Sequence, residues 1–470
     1  MPNPRYFQVN EIATRTRAIW TSARYLKNSF VSVNRLPPEV LGLIPSSLHS
    51  KRDLLNATAV CRYWRNSLLS SPDLWCDIDC PRHRGPPQEQ MFQECLERSR
   101  NVPLNIRVIS IRYLPDIAPH LARFSTLEIH VAVPGQFSVI ASHFNKPAPL
   151  LRTLSISVAI RSLSDLCIPG LFDGDFTSLR TLRIAGASAL KPPQSFPQLT
   201  RFELQTHSRV ALKIGAMLDV LERMPSLEFL HVKFCPGHQP LPPSTSLLRF
   251  VTLPKLREVE LTTFEDPLFD PPVFIPPLLS ALILPSVEQI TIGMLPPVGS
   301  VPLPSSFEGR LPNLVETEMV DVYVDPLVFS VSFHGLRGSR LLFTTDCGPR
   351  HQFQRETFCG TPFLSVKKMV VTFDVNDTHD TDPEKYFFEL LKTMKRLEHL
   401  EIRGQCARLL TLWTDGKYLM DRGFVCPSLQ SLAVANKSDD SVSELLAKLM
   451  AVRRTCGIRL FKAVEAVSDG

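Results

Sequence analysis

Leu227-Glu228-Phe229-Leu230-His231-Val232-Lys233-Phe234-Cys235 is the stretch on which the fold turns. Leu227, Leu230 and Val232 are apolar, and Glu228, His231 and Lys233 stand among them. Leu230-His231-Val232 alternates with the period of two that a half-buried strand requires. The same form, L-x-x-L-x-φ with φ apolar, recurs on both sides. It stands at Leu151-Arg152-Thr153-Leu154-Ser155-Ile156, at Leu179, Leu182 and Ile184, and at Leu199, Phe202 and Leu204. It returns at Leu256, Val259 and Leu261, at Val287, Ile290 and Ile292, and more weakly at Leu314, Thr317 and Met319. Val366, Met369 and Val371, then Leu397, Leu400 and Ile402, then Leu429, Leu432 and Val434 complete it. From Leu127 to Leu432 the central residues are spaced 27, 28, 20, 28, 29, 31, 27, 52, 31 and 32 apart. The step of 52 divides into 24 and 28 if Leu341-Leu342-Phe343 is a degenerate unit.

A period near 28 means stacked coils, because one strand cannot bury its apolar side alone. With Leu104-Asn105-Ile106 as the first strand, roughly 13 coils are expected. The return paths need helices or apolar turns. Ile214, Met217, Leu218, Leu221 and Met224 fit one helix; Phe387, Leu390, Leu391 and Met394 a second; Leu445, Leu446, Leu449 and Val452 a third. Elsewhere the return is proline-rich, as in residues 267–277 and 295–304. The chain has 41 prolines in 470 residues, so long uninterrupted helices are not expected. Cys235 stands where a leucine-rich repeat holds Asn or Cys, and the array resembles such repeats. At the matching place in other units stand Ala187, Phe264, Leu295, Asp374 and Gln405, which marks the array as divergent.

Upstream the pattern is helical. Leu36-Pro37-Pro38-Glu39-Val40-Leu41 opens a segment that continues through Ala59-Val60-Cys61-Arg62-Tyr63-Trp64-Arg65 to Ser71-Pro72-Asp73-Leu74-Trp75. Pro37 and Pro38 suit a first helical turn, where no amide hydrogen bond is lost. Val40, Leu41, Ile44 and Leu48 make an apolar stripe. A second helix is expected from Leu54 through Trp64 to Leu68, stopped by Ser71-Pro72, and a third from Gln88 to Ser99 with Met91, Phe92, Cys95 and Leu96 inward. Residues 5–30 read as a basic amphipathic helix that leads into this segment and packs on it. A mitochondrial presequence and a lipid-touching surface are the competing readings of that helix.

Residues 36–80 resemble an F-box, through Leu36-Pro37-x-Glu39, Val60-Cys61-x-x-Trp64 and Leu74-Trp75 in order. With the repeats behind them, the chain is similar to F-box proteins numerous in mushroom-forming fungi, which tend to share its Leu43-Ile44-Pro45 and Glu97-Arg98-Ser99. Pro45, where many F-boxes hold Phe, is expected to distort the end of the first helix. The resemblance implies a non-catalytic receptor: the F-box binds a Skp-type adaptor, the adaptor docks on a cullin, and the repeats hold a protein substrate. By position, Leu36, Pro37, Val40, Leu41 and Ile44 would supply part of the adaptor face, and Val60, Cys61, Trp64 and Trp75 packing and more of that face.

Composition narrows the alternatives. Of the net charge of +6, residues 1–35 carry +5 (six basic, one acidic), leaving 46 basic and 45 acidic side chains in the body. No nucleic-acid partner is expected from so neutral a body. No run reaches the roughly 20 apolar residues of a membrane span, and no signal-peptide core opens the chain. Eleven cysteines show no CxxC pair, and reduced, packed thiols of a cytoplasmic or nuclear protein are favoured over a zinc site at Cys76, Cys80 and His83. Asp374, Asp377, His379, Asp380, Asp382 and Glu384 could hold a divalent ion, but read better as a solvated, helix-capping loop. No nucleotide, hydrolase or metalloprotease motif is present, so no catalytic residue, cofactor or metal is expected.

The expected fold is therefore α/β: a helical F-box module followed by an irregular leucine-rich-repeat solenoid with a parallel strand face. Its divisions are a basic helix (1–33), an F-box (34–80), a linker and helix (81–101) and the repeats (102–470). The expected role is substrate recognition for a Skp–cullin–F-box ubiquitin ligase; the alternative is a repeat scaffold unconnected with ubiquitination.

Overall fold

A computed structural model describes residues 15–16, 19–20, 22–23, 31–46, 51–81, 85–132, 135–159, 170–186, 195–206, 214–234, 249–263, 278–279, 281–294, 317–324, 328–335, 340–346, 366–373, 391, 394–404, 407–414, 426–435, 441–455 and 462–465. The chain divides into two compact units, residues 1–130 with 148–151 and residues 131–147 with 152–470.

The first unit begins with three short helices, α1 (Pro38–Ser46), α2 (Lys51–Thr58) and α3 (Arg62–Ser70). The single second helix expected from sequence is two. The chain turns back through 3-residue bonds from Ala59 N–H to Asn56 O and from Val60 N–H to Ala57 O, then passes Cys61 in extended conformation. The break lets Leu54 of α2 and Leu68 of α3 enter one core with Leu41 of α1. Pro45 lies in the last turn of α1, where its missing N–H leaves a carbonyl of the preceding turn without a helical donor, and the helix stops one residue later. Arg15, Thr16, Ile19, Trp20, Ser22 and Ala23 are helical and exposed, Ile19 by 69%. The expected packing of that helix on the next segment is thus not seen at Ile19.

Strand pairing starts earlier than Leu104. β1 (Asp77–Asp79) pairs parallel with β2 (Leu104–Val108), and β2 with β3 (Phe124–Val131), so that Ile78, Ile106 and Leu127 share one rung. Between β1 and β2 lies α4 (Pro86–Arg98), opened by consecutive prolines and burying Phe92, Cys95 and Leu96 as the sequence anticipates.

The second unit is a run of parallel strands: β4 (Thr153–Val158), β5 (Thr181–Ala185), β6 (Arg201–Gln205), β7 (Phe229–Phe234), then, past the short β8 (Val251–Thr252), β9 (Glu258–Thr263), and past β10 (Leu282–Ile283), β11 (Gln289–Met294). Leu154, Leu182, Phe202, Leu230, Val259 and Ile290 lie directly across from one another. The spacing read from sequence is therefore a structural register. A helix, α7 in chain order after α5 (Leu114–Ile117) and α6 (Gln136–His143), spans Ile214–Leu221 where the apolar period placed one.

Five of these strands, β5, β6, β7, β9 and β11, are entered through the same tight turn. Leu179, Leu199, Leu227, Leu256 and Val287 donate their N–H to the carbonyl three residues back, at Phe176, Phe196, Met224, Leu253 and Leu284. Both ends of every such turn are buried. In four of the five the second position is proline (Pro197, Pro225, Pro254, Pro285), whose fixed φ suits it. These four prolines serve turn chemistry rather than helix breaking. Phe144, Phe172, Phe176 and Phe196 continue the apolar column, with neighbouring ring centroids 6.3, 5.9 and 5.2 Å apart.

The repeat is interrupted once. β12 (Thr317–Val324), β13 (Val328–Gly335) and β14 (Arg340–Asp346) form an antiparallel meander placed between β11 and β15 (Lys368–Phe373) in reversed order. Leu341 does take the rung beside Ile290, but the rung beside Met369 belongs to Val320, not Thr317. The cause is chain length: three residues join β12 to β13 and four join β13 to β14. A parallel crossover needs a dozen or more, so these strands must reverse. Parallel pairing resumes through β16 (His399–Gly404), β17 (Ser431–Ala435) and β18 (Lys462–Glu465), the last unanticipated. Among the described residues, helices α8 (Ala407–Thr414) and α9 (Ser441–Thr455) return the chain and Leu391 of the helix expected near 387–394 is helical; the sequence period gave α9 and missed α8. The acidic cluster at 374–384, Leu48, His83, Cys235 and the proline-rich returns lie outside the described residues.

Candidate functional site

The nine positions singled out in the sequence fall into three environments. Leu41 and Trp75 are interior, Trp75 at 1% exposure, and neither reaches the surface. Trp75 donates its indole N–H to Leu68 O at 3.0 Å, and the Arg98 guanidinium carbon stands 5.3 Å from its ring centroid. Its role is to fasten the chain leaving α3 back onto the helices. Leu36, Cys61 and Trp64 are half-buried. Trp64 donates its indole N–H to Asn34 Oδ1 at 2.7 Å, and the Tyr63 hydroxyl donates to Leu36 O at 2.5 Å.

Pro37, Val40, Ile44 and Val60 are exposed. One neighbour missed in the sequence joins them on α1, Leu43, 66% exposed; Leu55 of α2 is exposed as well, but it lines a cavity with Lys51, Asp77, Cys80 and Met91. Val40, Leu43 and Ile44 follow the three- and four-residue steps that place side chains on one helical face. The signal for Leu43 was present, since it completes that stripe one turn from Val40; only the burial of Leu41 shows which side faces outward. Val60, 61% exposed, sits at the turn between α2 and α3. Of eleven large apolar side chains that are exposed among the described residues, five lie between Val40 and Val60. Val40, Leu43 and Ile44 thus form an exposed apolar stripe on α1, whereas singly scattered exposed residues need no explanation.

Other chemistry is limited among the described residues. No group of His, Cys, Asp or Glu there is placed to hold a metal. Cys80 is fully buried and its thiol is pushed up to about 12 by burial, with Asp79 adding to the effect. Cys76 is raised for the same reasons, burial first and then Asp77, and gives its S–H to Asp73 O. Neither thiol is predisposed to be a thiolate ligand. On the meander, Ser332 Oγ and Asp321 Oδ2 stand 3.4 and 2.8 Å from His334. Both reach the same nitrogen, Nε2, so the pair cannot relay a proton as a nucleophile–base–carboxylate set would. No described helix is long and apolar enough to cross a membrane.

The chain thus combines a helical module bearing an outward apolar stripe with a largely parallel sheet that follows it in sequence. Residues 33–81 match the F-box-like family. A domain of that family points to an adaptor-binding, non-catalytic role in ubiquitin ligases. No curated protein matches the chain.

Proposed function

We propose that this chain is the substrate-recognition subunit of a Skp–cullin–F-box ubiquitin ligase. The observation that carries the proposal is the exposed apolar face of Val40, Leu43 and Ile44 on α1, with Val60 exposed at the turn before α3, inside the segment that matches the F-box-like family. This face binds a Skp-type adaptor, with Leu36 and Pro37 at its margin, and the adaptor joins the chain to a cullin. Leu41 and Trp75 support the face from within, and Trp64 holds its entry segment. The parallel strands from β4 to β11 and from β15 onward are divergent leucine-rich-repeat coils, a reading supported by the shared rung and the shared entry turn. Their outward side chains hold a protein substrate near the conjugating enzyme, so that proximity supplies the acceleration. The complex works in the cytoplasm or nucleus.

Titration calorimetry of the full chain with the purified Skp-type adaptor tests this. Val40→Asp with Val60→Asp places two charges on the face and should weaken binding by more than about 30-fold while leaving the melting temperature within a few degrees. Wild-type affinity in the double variant, or no binding by the wild type, overturns the proposal. In the second case the chain is a repeat scaffold without a ligase.

A further inference from the structure

Helix α1 carries the apolar stripe of Val40, Leu43 and Ile44, and a proline stands where a capping side chain usually does. Pro37 and Pro38 supply no N–H, and Pro37, the residue before the first turn, has no side-chain oxygen to cap it. The segment before it is held from outside. Ser32–Arg35 form a 3-10 turn, closed by Asn34 N–H donating to Val31 O at 2.9 Å. Asn34 Oδ1 accepts the Trp64 indole N–H at 2.7 Å and lies 3.8 Å from the Cys61 thiol. Two residues on, Leu36 O accepts the Tyr63 hydroxyl at 2.5 Å. The donors Cys61, Tyr63 and Trp64 all belong to the start of α3, which Val60 immediately precedes.

We infer that Asn34 is a positioning residue for the adaptor face: its carboxamide oxygen, with the Tyr63–Leu36 bond, clamps the entry of α1 to the start of α3 and so fixes Val40, Leu43 and Ile44 relative to Val60. The inference rests on the adaptor-binding reading above. It assigns Trp64 a hydrogen-bonding task at the clamp in place of a contact with the partner. The oxygen is the part that acts, because the Trp64 N–H needs an acceptor and a half-buried donor without one carries a desolvation cost.

The test compares three full-length variants for affinity to the purified Skp-type adaptor. Asn34→Leu keeps the size and removes the acceptor; Asn34→Asp keeps an acceptor oxygen; Tyr63→Phe removes the second bond and keeps the ring. Loss of one such bond corresponds to roughly fivefold to tenfold weaker binding for Asn34→Leu and for Tyr63→Phe. Asn34→Asp should stay within about twofold of wild type. The Trp64 indole N–H resonance, followed in tryptophan-labelled protein, should move in Asn34→Leu and hold in Asn34→Asp. A merely structural role would not give that rescue. Wild-type affinity in both Asn34→Leu and Tyr63→Phe overturns the inference, as does equal loss in Asn34→Asp and Asn34→Leu. Should Asn34→Leu unfold the module, Tyr63→Phe decides alone. If the wild-type chain fails to bind, the adaptor reading falls first and this inference with it.

Discussion

Replacing Trp75 by alanine should unfasten the first unit. The side chain is 1% exposed, and an indole of this kind buries roughly 150–250 Å². At ~25 cal/mol per Å² that is about 4–6 kcal/mol, an upper bound because the unfolded chain also hides some surface. Buried Trp→Ala changes cost about 3–5 kcal/mol, in agreement. The lost bond to Leu68 O adds only about 1 kcal/mol, since Ser71 N–H also reaches that carbonyl, at 3.4 Å. The Arg98 contact adds about 0.5 kcal/mol, because that guanidinium is partly exposed and already bonded to Glu94. About 5 kcal/mol is the expected loss, a large share of what a unit of this size has. Amide hydrogen exchange resolved by segment is the assay, because two compact units make a single unfolding free energy ill-defined. Protection in α3 and α4 should fall by roughly three orders of magnitude or vanish, while β15 to β17 keep theirs. Trp75→Phe should cost only about 1–2 kcal/mol. Protection of α3 within tenfold of wild type in Trp75→Ala would refute this account of how the module is held.

Three further outcomes follow from the geometry. Gly186 has φ of +86°, and a Cβ there would stand 2.1 Å from Val158 O, so Gly186→Ala should cost more than about 2 kcal/mol and be visible as a lowered melting temperature. Burial alone would raise the Glu203 carboxyl, but hydrogen bonding and charge from Arg201 and Arg183 hold it below its ordinary value. A depressed carboxyl contributes stability above the unfolded value of about 4.3 and loses it as pH falls through the folded one; the melting-temperature gap between wild type and Glu203→Gln should therefore close on acidification below about pH 4. Cys80 and Cys426, both pushed up to about 12 by burial, should resist iodoacetamide at neutral pH in the native chain and react once it is unfolded, as mass spectrometry of the alkylated peptides would record.

The legible parts were those written in local periodicity. Leu154, Leu182, Phe202, Leu230, Val259 and Ile290 could be aligned in sequence because each opens the same short apolar–polar–apolar run, and stacking preserved that alignment. The meander could not be read this way. Its strands also carry apolar residues, and scanning for the coil motif placed the centre of β12 at Thr317. The short joints at 325–327 and 336–339 held the contrary message, since they are too short for parallel crossovers. β1 escaped notice because Asp77-Ile78-Asp79 has one apolar residue and gains its identity only from pairing with β2.

The candidate site shows the same division. Sequence by itself determined that residues 36–75 form short helices with Leu, Val and Trp at the spacing of a known docking module. It also determined that apolar strands recur near every 28 residues. Periodicity states which residues are apolar on one side of an element, but a helix of nine residues can turn that side inward or outward. Only the tertiary structure decided that Leu41 and Trp75 face the core while Val40, Leu43 and Val60 face solvent. The reason is the break at residues 59–61: it swings α3 against α1 and α2, buries Leu41, Leu54 and Leu68 together, and leaves the opposite side of α1 uncovered.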